Sequence, residues 1–505
     1  MSKRAGGPLL LGLCLDDHSS QNLSQQLYTG LRDQILAGVL EPGQRIPSTR
    51  VLAKDLQISR TITVNVIERL AAEGLLEARI GSGTFVAKHA SFPQSTASKK
   101  SSESNKNLAS RIGLSQSFAK ASKQAVTQHL PSTTGAFTTG LPADDVFPVD
   151  VWRRRLFRQY NSRSEIMMGY PDPLGYGPLR EAIRQHMGSN RGINCAYEDI
   201  FVVGGAQEAF RLIFSVLLNK SDKVWFENPG AIGARNSLIA SEADIVPVPV
   251  DKYGMDVEAG LKQSKKFKLA FVTPAHQQPM GVSMSLERRL NLLDAAAKTN
   301  GFVLEDDYDG EFRYDGHPLP ALKSIDQAQR VIYVGSFSKT LMPALRIGFL
   351  ITPPFLREIF SKAIRIYTQG VPPNTQQFLA TAIEDGFFSA HIRRMRKIYS
   401  ERRTILFKAA KNELGGLLRV DWTPSGLHTI GHLLFPVDEH RSAAEIGKRG
   451  ITVTPVKRFS IAPTPYHGLV MGFSSARPIE LKRGVQILAT ELERLKNDAS
   501  KKKGD

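Results

Sequence analysis

Apolar residues fall into two rhythms along this chain. Leu23, Leu27, Leu31 and Ile35 recur every fourth residue, the spacing that puts one apolar stripe on a helix. Glu41-Pro42-Gly43 breaks the pattern. A short helix is predicted over 48–56. A second is predicted over 60–73, with Ser59 as N-cap, Val64, Ile67, Leu70 and Ala71 as buried stripe, and Gly74 as its stop. Over 75–87 apolar and polar residues alternate about Gly81-Ser82-Gly83, which reads as a hairpin. Together these predict a winged helix–turn–helix.

The second rhythm follows residue 135. Short apolar runs at 200–203, 223–226, 245–248, 269–272, 302–304, 331–334 and 347–351 alternate with helix-length segments. That order predicts an α/β domain with a mainly parallel sheet, helices on both faces and functional residues just beyond the strand ends. Between the rhythms, residues 91–135 hold eleven serines and scattered lysines. This composition reads as a flexible linker, with transient helix over 114–126. The predicted domains are 1–90, 91–135 (the linker) and 136–505.

Composition adjusts this picture little. The chain has 505 residues, 41% of them hydrophobic, enough for more than one domain. Its two cysteines, Cys14 and Cys195, lie far apart and suggest no disulfide framework, which fits a reducing cytoplasm. The apolar run 8–15 follows Lys3 and Arg4 but is far shorter than the ~20 residues of a membrane span. Asp16 and Asp17 come directly after it, so neither a span nor a secretion signal is expected. The net charge of +18 suggests a polyanionic partner. Residues 1–90, with ten basic and eight acidic side chains, hold little of that excess.

Candidate chemistry lies in two places. The first turns of the second helix of a helix–turn–helix meet base edges in the major groove. Here they offer Ser59, Arg60, Thr61, Thr63 and Asn65; arginine reads guanine and asparagine reads adenine. Arg45, Ser48 and Arg50 are placed to hold phosphates, and Gly83 lets the wing approach a groove. Residues 43–86 resemble the winged-helix domain of the GntR family of bacterial regulators. The likeness rests on Arg45-Ile46-Pro47-Ser48, on Ser59-Arg60, and on the wing Gly81-Ser82-Gly83-Thr84-Phe85-Val86. Ile62 stands where a threonine is usual.

The other place is Lys339, in GSFSKTLMPALRIG just after an apolar run. A lysine there can form a Schiff base with an aldehyde, and Ser336, Ser338 and Arg346 can hold a phosphate. Pyridoxal phosphate (PLP) carries both groups. Its ring nitrogen needs a carboxylate, which Glu305-Asp306-Asp307-Tyr308 offers at another strand end. Gly204-Gly205-Ala206-Gln207 opens a helix after a strand and makes a phosphate seat. No metal site is expected.

Residues 136–495 resemble fold-type I aminotransferases, which have a small C-terminal α+β lobe. They are most similar to the MocR-type regulators (the PdxR or GabR group). The shared blocks are GYPDPLGYGPLREAI, VVGGAQEAF, NPGAIGARNSL, TPAHQQPMGVSMSLERR, EDDYDGEFRY and YVGSFSKTLMPALRIGFL. The resemblance implies Lys339 as the Schiff-base lysine, Asp306 under the ring nitrogen and Tyr308 at the phenolic oxygen. It implies Ser336, Ser338, Arg346, Ala206 and Gln207 around the phosphate, and Tyr170 reaching across a homodimer to the neighbour's phosphate. Three positions depart from the pattern. Ala231 replaces a ring-stacking aromatic, and Gln278 replaces an asparagine facing the phenolic oxygen. The strand expected to carry an effector-carboxylate arginine has none, which leaves Arg477 and Arg235 as candidates. The expectation is a PLP-dependent transcriptional regulator that binds double-stranded DNA and senses an amine, an amino acid or PLP itself. The alternative is a working aminotransferase with a DNA-binding appendage.

Overall fold

The computed structural model describes residues 15–16, 19, 21–79, 81–89, 113, 115–127, 131, 134–161, 169–317 and 319–501. Most of the run 8–15, with Cys14, and most of the stretch read as a linker lie outside these residues. The chain divides into two compact units, Met1–Gly113 and Leu114–Asp505.

The smaller unit has helices at Leu23–Leu36, Thr49–Asp55 and Arg60–Ala72 and a hairpin of Leu76–Arg79 with Gly83–Val86. A short strand, Arg45–Ile46, joins the hairpin as a third strand, which the sequence pattern did not reveal. Leu27, Leu31, Ile35, Leu52, Val66, Ile67 and Leu70 form one core. The buried stripe of Arg60–Ala72 is Thr63, Val66, Ile67 and Leu70, spaced i, i+3, i+4 and i+7. It is therefore turned from the predicted one: Val64 and Ala71 are only half-buried.

The larger unit is built on an eight-stranded sheet. Five neighbouring strands run parallel: Val331–Ser336, Phe302–Asp307, Leu269–Val272, Lys223–Asn228 and Asp244–Asp251. Helices such as Ala206–Leu217 and Ile232–Ala240 cover one face, and Val257–Gln263 and Leu286–Thr299 the other. These strands are buried on both sides, hence their near-continuous apolar runs. At one end Gly348–Ile351 pairs antiparallel with Val331–Ser336 and then with Ile200–Val203. A small lobe follows, with the antiparallel strands Leu418–Val420, His428–Leu433, Gly468–Gly472 and Thr454–Pro455. Helices Phe387–Glu413 and Pro478–Lys501 pack together beside it.

The larger unit begins before residue 136. Helix Gln116–Gln124 is capped by Ser115 and lies against helix Ile232–Ala240. Asn236 accepts from the Val126 N–H and donates to its carbonyl. Residues 115–127 thus pack as structure within this unit, where composition alone suggested linker. Among the described residues no helix is long and apolar enough to cross a membrane.

Candidate functional site

Strand register assembles the Lys339 site. Residues 337–347 join Val331–Ser336 to Gly348–Ile351, and this connection is too short for a crossover helix, so the two strands pair antiparallel. The pairing sets Ser336 opposite Gly348, and Gly348 opposite Val203. On the other side Val334 lies opposite Asp306 and Gly335 opposite Asp307. The Lys339 loop, the Gly204-Gly205 turn and the acidic strand end therefore open on one edge. Gly348 has no room for a side chain: a Cβ there would lie 2.9 Å from the Gly335 carbonyl oxygen and 3.1 Å from Gly205 Cα.

Lys339 is mostly buried, and its Nζ donates to the Gly140 carbonyl at 2.7 Å. Burial lowers its pKa, against the pull of Asp309 and Asp306. Asp306 is buried, and its carboxyl is pushed well above the usual range, first by desolvation and then by the charges of Asp307, Asp309 and Glu227. Its Oδ1 has no hydrogen-bond partner among the described residues. A buried, unsatisfied carboxylate oxygen is costly. A protonated ring nitrogen is the partner that would satisfy it and let the carboxyl ionise.

Tyr308 Oη lies 2.9 Å from His276 Nδ1, which is also 3.0 Å from Asp309 Oδ2. Assigning the Nδ1 proton to the carboxylate leaves the Tyr308 hydroxyl its own proton to donate elsewhere. His276, Asp309 and His428 bring ligand-type atoms within 4.8 Å of one another. His276 Nδ1 bonds Asp309 and Tyr308, and His428 Nε2 faces the Pro279 carbonyl, while His276 Nε2 and Asp309 Oδ1 have no partner among the described residues.

On the phosphate side, Ser338 N donates to Ser336 Oγ at 3.2 Å. Arg346 Cζ lies 3.9 Å from the point where a Gly205 Cβ would stand. Ala206 and Gln207 open helix Ala206–Leu217 at the same turn, and Gln207 Oε1 accepts from Ser237 Oγ. An amine, an unpaired carboxyl, a phenol and a phosphate seat together fit PLP, and PLP is the cofactor these groups suit.

Lys339, Tyr308, Gln278, His428, Arg458 and Phe459 line one cavity of about 140 Å³. Ala231 is the N-cap of helix Ile232–Ala240, and the next residues, Ile232 and Gly233, line the cavity where an aromatic was missed in the sequence. Tyr170 is 94% exposed and does not line the cavity of its own chain.

Two expectations need correction. Arg235 is buried and donates to the carbonyls of Arg458 and Ser460, so it braces that loop and cannot reach for a carboxylate. Arg477 is exposed, bonds Glu480 with two nitrogens and does not line the cavity. Strand Gly468–Gly472 faces the cavity with Val470.

In the smaller unit Arg60, Thr61, Asn65, Arg50 and Arg45 are exposed. Ser59 and Ser48 cap their helices, accepting from Ile62 N at 3.3 Å and Val51 N at 3.4 Å. Gly83, at φ +109°, is where a Cβ would come 2.9 Å from Arg45 Nε; its bareness lets Arg45 lie along the wing. Thr63 is a third correction. It is fully buried, and its hydroxyl bonds the carbonyls of Thr49 and Arg60 at 3.0 and 2.8 Å. It ties the two helices together and is not available to DNA.

Sequence reasoning missed His276, Asp309, His428 and Arg458. The first two lie inside shared blocks, TPAHQQPMG and EDDYDGEFRY, and could have been found there. His428 and Arg458 gave no signal, because only the folded lobe brings them to Lys339.

Comparison with known proteins agrees with this geometry. Residues 23–86 match the model of bacterial regulatory proteins of the gntR family. Residues 136–466 match aminotransferase class I and II. The chain is thus a gntR-type regulator with an aminotransferase-like domain. It is 34% identical over 478 residues to the probable rhizopine catabolism regulatory protein MocR of Rhizobium meliloti, covering 94% of this chain and 95% of that one. It is 28% identical over 467 residues to the pyridoxine biosynthesis regulator PdxR of Corynebacterium glutamicum, covering 92% and 95%. Among solved structures, a kynurenine aminotransferase of Pyrococcus horikoshii with PMP matches at TM-score 0.67 and 26% identity, over 76% of this chain and 96% of that one. The chain belongs to the MocR-type regulators, DNA-binding transcription factors with an aminotransferase-like domain.

Proposed function

We propose that the larger unit is a sensor. It holds PLP at Lys339, reads a small amine or amino acid in the same cavity, and controls a homodimer on double-stranded DNA in the cytoplasm. The observation that carries this reading is the unpartnered, buried Asp306 oxygen close to Lys339. PMP in the similar kynurenine aminotransferase supports the choice of cofactor.

When bound, PLP supplies an aldehyde that amines attack and a ring that draws electrons. The chain's own groups do the rest. Burial lowers the Lys339 pKa from its ordinary value, the direction that favours a nucleophilic amine. Asp306 anchors the ring nitrogen, and Tyr308 and Gln278 face the phenolic oxygen. Ser336, Ser338, Arg346 and the N–H groups of Ala206 and Gln207 take the phosphate. Arg60, Thr61 and Asn65 meet base edges, with Arg45 and Arg50 on phosphates. The exposure of Tyr170, away from its own cavity, supports its delivery to a second copy. A dimer of this kind reads two half-sites. Regulation requires that the effector bind two states with different affinity.

The replacement of the ring-stacking aromatic by Ala231 supports a second reading, in which PLP itself is the signal. The test is the visible absorbance of the purified protein with PLP, before and after borohydride, and then with added amino acids. A reducible band that one amine shifts without turnover supports amine sensing. A band that no amine shifts supports PLP as the signal. Sustained conversion of amino acid plus 2-oxoacid replaces both with an enzyme. No band with added PLP overturns the cofactor assignment.

A further inference from the structure

Among the described residues, the cavity around Lys339 has a fixed positive charge with no acidic partner. Its described lining contains no carboxylate. Of its basic groups, Lys339 has a depressed pKa through burial, and His428 is held down to about 4 by burial and by His276. Arg458 remains, and a guanidinium does not deprotonate in a protein. Among the described residues Arg458 has no acidic partner. Its guanidinium's one hydrogen bond among the described residues runs from Nη2 to the Thr127 carbonyl at 2.6 Å.

The chain holds this arginine in place with some care. Arg458 lies in the turn Val456–Phe459. Buried Arg235 donates to the carbonyls of Arg458 and Ser460, at 3.0 and 3.1 Å. Gly230 N donates to the Phe459 carbonyl, and Glu439 accepts from Lys457 N. Two arginines so close repel: Arg458 helps burial to lower the Arg235 pKa. A turn braced at four points, with one cation buried to brace another, sets an arginine at the mouth of the cavity.

Arg458 also lines an outer cavity of about 830 Å³ with Arg235, Lys457 and His440. The acid there, Glu439, is buried and taken up by the backbone N–H groups of Lys457 and Gly468. The inner and outer walls of Arg458 are thus both short of negative charge.

We propose that Arg458 is the anion anchor of the effector site, and that the effector is a primary amine bearing an anionic group, a carboxylate in the first instance. The amine end meets Lys339 and the anionic end pairs with Arg458, whose planar donors match a carboxylate. Val470, on the strand where an arginine was sought, leaves that task to this turn. Arg235 acts through Arg458, as a positioning residue. The assignment rests on the sensing reading above and adds the residue that would read the anionic end.

The test uses full-length protein loaded with PLP and two pairs of probes: L-alanine against L-alaninol, and β-alanine against aminopropanol. Each pair keeps the amine and changes the anionic group. Dissociation constants come from the shift in cofactor absorbance. In the parent protein at least one carboxylate should bind roughly ten- to a hundredfold more tightly than its alcohol, the range for a hydrogen bond to a charged group. Arg458→Met should erase that preference by weakening the carboxylate alone, and Arg458→Lys should restore part of it. Retained cofactor absorbance and melting temperature show that the variant is folded. If Arg458→Met does not hold cofactor, Arg458→Gln takes its place. A preference that survives in the folded variant overturns the Arg458 assignment and leaves amine sensing intact. Equal binding of carboxylate and alcohol by the parent protein also overturns it. If no amine shifts the absorbance of cofactor-loaded protein, the sensing reading fails and the anchor fails with it.

Discussion

Single residues show where chemistry was legible and where it was not. Lys339, Asp306 and Tyr308 announce themselves because each closes or follows an apolar strand run, and a strand end fixes a side chain's place. Lys339→Ala should abolish the borohydride-reducible absorbance while leaving DNA affinity measurable by fluorescence anisotropy; loss of both would mean that the lysine holds the fold. Arginines were harder to read, since the same side chain serves as brace, surface clamp or ligand anchor depending on which carbonyls come near it. Arg235 and Arg477 looked alike in sequence and differ in the fold. Glu227 was also silent. It is buried, accepts from Thr273 and Gln277, and burial lifts its pKa to about 7. Its folded pKa exceeds the ordinary 4.5, so the stability it contributes is full below about pH 4.5 and is lost as pH rises through about 7. Glu227→Gln keeps the shape and removes the titration. Denaturant melts should show the parent losing about 3 kcal/mol relative to the variant between pH 4.5 and 8, by the shift's free-energy equivalent. A difference that is flat with pH would place the carboxylate in a wetter setting.

At the scale of elements, period and punctuation located the helices and hairpin of the N-terminal unit and seven strands of the large sheet, but not the helices of the larger unit one by one, nor the direction or rotation of each element. Gly348–Ile351 has the same apolar look as its parallel neighbours, yet it runs the other way because residues 337–347 are too few for a crossover. The recognition helix was placed within a residue of its ends, by Ser59 and Gly74. Its buried face was misjudged because a threonine counts as polar in any hydropathy pattern, whereas Thr63 buries its methyl and spends its hydroxyl on two carbonyls. This distinction can be tested. Thr63→Val should cost about 1–2 kcal/mol in the melting of the N-terminal unit, through loss of the one hydroxyl donor that the two carbonyls share, and leave operator preference unchanged. Asn65→Ala should do the reverse, with stability nearly unchanged and selectivity reduced at one base pair by about 1–3 kcal/mol in competition binding. The opposite pattern would exchange the roles assigned to the two residues.

For the whole molecule, the +18 charge said that a polyanion was involved but not where, because the DNA-reading unit is close to neutral. One surface feature suits the proposed homodimer. Phe157 is 60% exposed and lines an apolar groove of about 590 Å³ with Trp152, Leu341 and Met342, beside the Lys339 loop. Phe157→Glu should shift the protein from dimer to monomer in sedimentation velocity; an unchanged dimer would place the interface elsewhere. The bond from Lys339 to Gly140 reaches further than the cavity. The segment that carries Gly140 pairs with the small lobe through Phe137 and Gly472, and holds helix Phe387–Glu413 through the Ala143 N–H and the Tyr399 hydroxyl. One amine is thus contested between ligand and backbone. Whatever draws Lys339 away removes one of the strap's several bonds, and by linkage any effect of the strap on ligand affinity is returned by the ligand on the strap by the same factor. Gly140 has φ +78°, and a methyl there would stand 2.9 Å from Lys339 Nζ. Gly140→Ala would therefore press on Lys339 itself from the strap side, so that strap and proposed cofactor site answer to one amine.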